Sequence, residues 1–246
     1  MLLWLLILGL GLVAGTIGGV VGFGGSTILL PALVLAFGPK AAVPIMGIAG
    51  LLANLARVAV WWRQVDWRAA AIYAATGIPA VTLGAHTFLA LDARLVEALL
   101  GLFMIAMIPL RRWFLARNFS IGLGGLALAG AGIGFLTGMV STTGPINTPF
   151  FLAYGLSKGA FIATEALGSL SVYFAKTLVF QRLGALPWDL ALKGAVVGVS
   201  MMAGSWMAKP IVERLEAQQF QAVMDVLMLF AGIAMLWGAL AQGDAP

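Results

Sequence analysis

The sequence predicts an all-α polytopic membrane protein built from two inverted-topology repeats, with about 8 full spans and about 2 half-helices at glycine-rich breaks. Three observations carry this. The first is composition. Hydrophobic residues make up 62% of the 246-residue chain and charged residues 9%. A soluble domain holds about 45–50% apolar and about 25% charged residues. A soluble fold of this length cannot hide so much apolar surface, so lipid is the expected solvent. The second is that the apolar runs are long and lack period-2 alternation, which reads as helices rather than barrel strands. The third is a repeat. Gly11, Gly15 and Gly19 lead into Gly25, and Gly130, Gly134 and Gly138 lead into Gly144, each partner 119 positions on. Both ladders then break into small residues: Gly22-Phe23-Gly24-Gly25-Ser26-Thr27 in the first half, Ser141-Thr142-Thr143-Gly144-Pro145 in the second. Pro31 and Pro149 follow the breaks, 118 apart. Unusual backbone inside duplicated apolar sequence commonly marks the substrate site of a membrane carrier.

The elements follow in order. A first span at about 2–21 has no basic region before it and no small-residue cleavage site, so it reads as a span and not as a signal peptide. After the break comes a short apolar piece, about 27–37, then spans at about 41–62, 69–90 and 94–110. The second half repeats this as about 120–140, a short piece at about 145–155, then 159–181, 188–208 and 218–240. The repeats are therefore expected at 1–112 and 118–246, with a basic linker at 113–117. A full span needs about 20 residues. The short pieces reach about half way, and lipid would not tolerate the open backbone beside them, so they must lie against protein or line a cavity.

Loop charges orient the chain. With five crossings per half, Arg63, Arg68, Arg111, Arg112, Arg117, Lys158, Lys209 and Arg214 share one side, and only Lys40, Arg94 and Arg182 face the other. Basic residues favour the cytoplasm, so both termini are expected outside and the halves inverted. Four crossings per half would make the halves parallel and weaken the bias. The net charge of +5 is spread over loop ends, which argues against a nucleic-acid surface. Cysteine is absent, so there is no disulfide or thiolate chemistry.

Gly22 to Ser26, with Pro31 and Leu33, resembles the glycine-rich signature of the sulfite exporter TauE/SafE family. A second matching block is Gly77-Ile78-Pro79 to Gly84-Ala85, then Leu91, Arg94 and Gly101-Leu102-Phe103. A third is Gly204 to Ala208, then Arg214, Phe220 and the run from Leu227 to Leu236. The resemblance covers nearly the whole chain. It implies a multi-pass permease of a bacterial inner membrane, exporting sulfite or small organosulfur anions. Ser26 stands where the family commonly continues with glycine, and the second break has one glycine where the first has three, so the two half-sites are chemically unequal.

The breaks suit an anion. A half-helix N-terminus carries free N–H groups and partial positive charge. Glycine lets the backbone come close. The candidate substrate-binding residues there are Gly22, Gly24, Gly25, Ser26 and Thr27, and Ser141, Thr142, Thr143, Gly144, Asn147 and Thr148. The ladder glycines read as helix packing. Arg57 and Lys176 are 119 apart within spans, with Asn54 and Tyr173 one turn before them. Either cation could hold an anion or snorkel to the interface. Glu165, with Met46 at its equivalent position, is a candidate for a coupling proton or a neutral structural carboxyl. His86, the single histidine, reads as packing or interfacial and makes no metal site alone. The chain has no HExxH, Walker or GxSxG motif, so neither an enzyme nor a cofactor is expected. Paired half-helices also build pores, so an anion channel or a carboxylate carrier stays open. The expected partners are a small anion, a coupling proton and lipid. A homodimer also stays open.

Overall fold

The structure, a computed structural model, describes residues 2–22, 24–116, 120–140, 143–156 and 158–208, and also 229, 233, 236 and 237. The described elements are helical: α1 (Leu2–Val21), α2 (Gly25–Phe37), α3 (Pro39–Trp61), a 3-10 turn (Trp62–Gln64), α4 (Trp67–Ala90), α5 (Ala93–Ala116), α6 (Leu123–Val140), α7 (Gly144–Ala153), α8 (Lys158–Arg182) and α9 (Trp188–Met207). Among the described residues, five helices (α1, α3, α4, α6 and α9) are long and apolar enough to cross a membrane. The expected span at 218–240 lies outside the described residues, apart from Leu229, Ile233, Leu236 and Trp237.

Local chemistry sets the boundaries. Gly22 and Gly24 have φ of 83° and 99°, the left-handed region that glycine enters without steric cost, and they separate α1 from α2. Asp66 starts α4 by accepting the Ala69 N–H at 2.9 Å, and Asp92 does the same at α5 for Leu95 at 2.7 Å. With 13 and 10 residues, α2 and α7 extend about 20 Å and about 15 Å, short of the roughly 30 Å hydrocarbon core. One boundary differs from expectation. Helix α5 runs on through Arg111 and Arg112 to Ala116, so most of the expected linker is helical. No residue from Arg111 to Ala116 is a glycine or proline, and arginine, leucine and alanine are good helix formers.

Helix contacts are made where side chains are missing. Helix α1 packs along α9, and α6 packs along α4. A Cβ on Gly15 would overlap the Met201 backbone, and one on Gly134 would lie 2.7 Å from the Gly77 carbonyl. Hydroxyls close the same seams. Ser205 donates to the Gly15 carbonyl at 3.1 Å, Ser200 to Leu8 at 2.9 Å, and Thr76 to Ala127 at 2.7 Å. Helix α3 lies between α9 and α8, and α8 between α3 and α4. This places the α3–α8 contact at the centre, with both breaks beside it. His86 is exposed on α4.

Candidate substrate cavity at the two helix breaks

The two breaks border one cavity of about 50 Å³. A water needs about 10–15 Å³ by this measure, so the space takes roughly three to five waters or one small oxyanion. From the first break, Gly22, Gly24, Gly25 and Ser26 line it; from the second, Thr143 and Gly144. Helix α3 contributes Met46, Gly50, Asn54 and Arg57, α8 contributes Glu165, Ser169 and Tyr173, and α9 contributes Met201 and Ser205.

The charged centre is an ion pair. Arg57 and Glu165 meet at 2.9 Å, with side chains 10% and 2% exposed. Arg57 also donates to the Gly22 backbone carbonyl at the end of α1 and to the Asn54 side-chain amide oxygen Oδ1, one turn back on α3. Glu165 accepts from Asn147 on α7 at 2.8 Å and from Ser169, one turn on in α8, at 2.6 Å. A chain of polar contacts therefore runs from the carbonyl of the first break, through Arg57 and Glu165, to the half-helix that follows the second.

The helix ends explain why the cations stand where they do. The last carbonyls of a helix lack partners and carry partial negative charge. Arg57 meets this end of α1. Lys176, fully buried, donates to the Thr137 carbonyl near the end of α6 at 2.6 Å and lies 5.2 Å from the Phe180 ring centroid. Lys176 therefore neither snorkels nor lines the cavity. The N-terminal ends differ from each other. The first N–H groups of α2 have no intrahelical acceptor. In α7 the corresponding supply is reduced, because Pro145 has no N–H and the Ile146 N–H is bonded to the Thr143 carbonyl at 3.0 Å. The donor-rich side of the cavity is thus the first break.

Other expected site residues are placed as follows. Thr143 is bonded to Thr137 at 2.5 Å, and Thr148 donates to the Gly144 carbonyl at 3.1 Å. Asn147 is buried against Glu165. Ser141, Thr142 and the side chain of Thr27 lie outside the described residues. The cavity also includes Ser169, Ser205, Met201 and Gly50, which were not singled out from the sequence. Ser169 was within reach of sequence reasoning, since it sits one turn from Glu165 on the same face. Ser205 comes from a distant helix and carried no such signal.

The placement of Lys176 makes a prediction. Lys176→Leu removes the amine that donates to the buried Thr137 carbonyl, a loss of about 1–3 kcal/mol. It is expected to lower the melting temperature of the purified protein while leaving sulfite affinity within about threefold, less than 1 kcal/mol. Unchanged melting with a large loss of affinity would put Lys176 in the anion path.

Apolar helices interrupted at two breaks, around a buried ion pair and a small cavity, define a polytopic membrane protein of the permease kind. The sulfite exporter TauE/SafE family model matches residues 7–235, and the chain belongs to that family. No curated protein and no solved structure gives a match. The family is one of membrane transport proteins, not of enzymes.

Proposed function

We propose that this protein is a secondary transporter of small anions such as sulfite, sulfonates or related organosulfur compounds, with export the direction its family suggests. The cavity at the two breaks is its substrate site. One observation carries the reading: Gly24, Gly25 and Ser26 at the N-terminal end of α2 and Arg57 line the same small cavity. A helix N-terminus beside an arginine suits a sulfur oxyanion or a carboxylate. Gly22, Gly24, Gly25 and Ser26 form the backbone side of the site, and Asn54, Arg57, Ser169 and Tyr173 the side-chain side.

In this reading the two halves are inverted repeats related by a two-fold axis near the α3–α8 contact. The packing supports it, because equivalent helices have equivalent neighbours: α1 with α9 and α6 with α4, α3 with α9 and α8 with α4, α2 with α3 and α7 with α8. The protein resides in the bacterial inner membrane with the loops of Arg63 and Arg68 inside and both termini outside. Lys176 holds the second break from behind.

The first break is the test. A Cβ on Gly25 would lie 2.9 Å from the Ala14 carbonyl and 2.8 Å from the end of Met201. Gly25→Val therefore fills the cavity and also presses on α1. It is expected to abolish sulfite binding in a thermal-shift assay, with a smaller loss of stability. Ser26→Ala removes one hydroxyl without a steric change and is expected to weaken binding about fivefold, the worth of about 1 kcal/mol. Normal binding by both variants would make the first break a structural bend only.

A further inference from the structure

Resting on the anion-carrier reading, we propose that the Arg57–Glu165 ion pair is a latch between the two breaks. It opens when a monovalent anion takes Arg57 and a proton takes Glu165, so that one anion and one proton cross together.

The argument starts from charge balance. In the structure the cavity is lined by one guanidinium and one carboxylate in contact at 2.9 Å, both largely buried, a neutral pair. An anion that entered alone would leave a net buried negative charge, which is costly in a low-dielectric site. An anion that enters with a proton leaves the sum unchanged. Arg57 stays protonated and pairs with the anion, and the Glu165 carboxylate becomes a neutral carboxyl. No bond other than the new O–H is made.

The partners of Glu165 allow both states. As a carboxylate it accepts from Arg57, Asn147 and Ser169. As a carboxyl it keeps acceptor capacity for Asn147 and gains an O–H that the Ser169 hydroxyl can accept. The groups facing it are few. Arg57 comes from α3, Tyr73 from α4, and Tyr173 from α8 itself. Helices α6 and α7 present no titratable side chain among the described residues, and Arg63 on the 3-10 turn is exposed. Among the described residues Arg57 is the cation paired with Glu165, and substrate and carboxylate compete for it.

The latch also couples chemistry to movement. Through Arg57 the pair holds the end of α1, and through Asn147 it holds α7. Opening it separates the first break from the half-helix of the second. Net direction follows the sum of the anion and proton gradients: a high internal anion level drives efflux, and an acidic exterior favours entry.

Methanesulfonate and acetate are suitable probes, because both keep a single negative charge between about pH 6 and about pH 8. With one proton taken up per anion bound, the affinity of the wild-type protein rises about tenfold for each unit that pH falls, since the loaded state binds the extra proton. In Glu165→Gln, whose amide imitates the protonated carboxyl, affinity is expected to be high and flat with pH. Addition of either anion to wild-type protein in weak buffer should take up one proton per site, a readout that does not depend on the variant folding. Anion binding with flat pH dependence and no proton uptake would overturn the latch and leave the anion site standing. Failure of both anions to bind the wild-type protein would overturn the site and the latch together.

Discussion

Arg57→Gln is expected to abolish anion transport and to destabilise the protein by about 3–5 kcal/mol. Both effects come from the same geometry. The guanidinium is the charged donor that faces the cavity, and it is also the counter-ion of Glu165, whose side chain is 2% exposed. Removing it strands a carboxylate away from water. The double variant Arg57→Gln/Glu165→Gln separates the two roles. It removes the stranded charge, so melting temperature should recover most of the loss. Transport should stay absent, because the donor is still missing. The measurement is thermal unfolding of each purified variant beside sulfite flux in liposomes. Normal flux in the single variant would place the anion path elsewhere.

Valine at Gly84 or Gly204 is expected to prevent assembly of the helix pairs. A Cβ at Gly84 would collide with the Phe135 carbonyl of α6, and one at Gly204 with the Leu12 carbonyl of α1. The opposing surface in each case is backbone, which cannot rotate away as a side chain can. Overpacking of a yielding core costs about 1–3 kcal/mol, and an unyielding contact costs more. Little folded protein should be recovered from membranes by size-exclusion chromatography. Gly132→Ala is the control. Nothing lies within 4 Å of its Cβ position, and alanine favours a helix by about 1 kcal/mol. Good yield of the valine variants would mean that the α4–α6 and α1–α9 seams are looser than their geometry implies.

Much of the helical layout was legible in the sequence because lipid imposes long apolar runs and because Gly22 and Gly24 punctuate them. The ladder spacing marked close packing but did not identify the partner helices, which depend on contacts such as Gly134 with Gly77, far apart in the chain. Helix α5 runs past about 110 to Ala116 because arginine, though charged, continues a helix readily. At the cavity, Arg57, Asn54 and Glu165 stood out as polar residues in apolar spans. What they do to one another did not, because a pair separated by 108 positions leaves no trace in local sequence. Lys176 shows the limit most clearly. Its equivalence to Arg57 is visible in the 119-residue spacing, yet it turns to the Thr137 carbonyl behind the second break and not to the cavity.

The most direct test of an anion carrier centred on this cavity is flux through the purified protein in liposomes, with sulfite as substrate and Arg57→Gln as the paired control. Saturable sulfite movement that the variant lacks is the predicted result. Wild-type liposomes no more permeable than empty ones, or equal flux in wild type and variant, would contradict it.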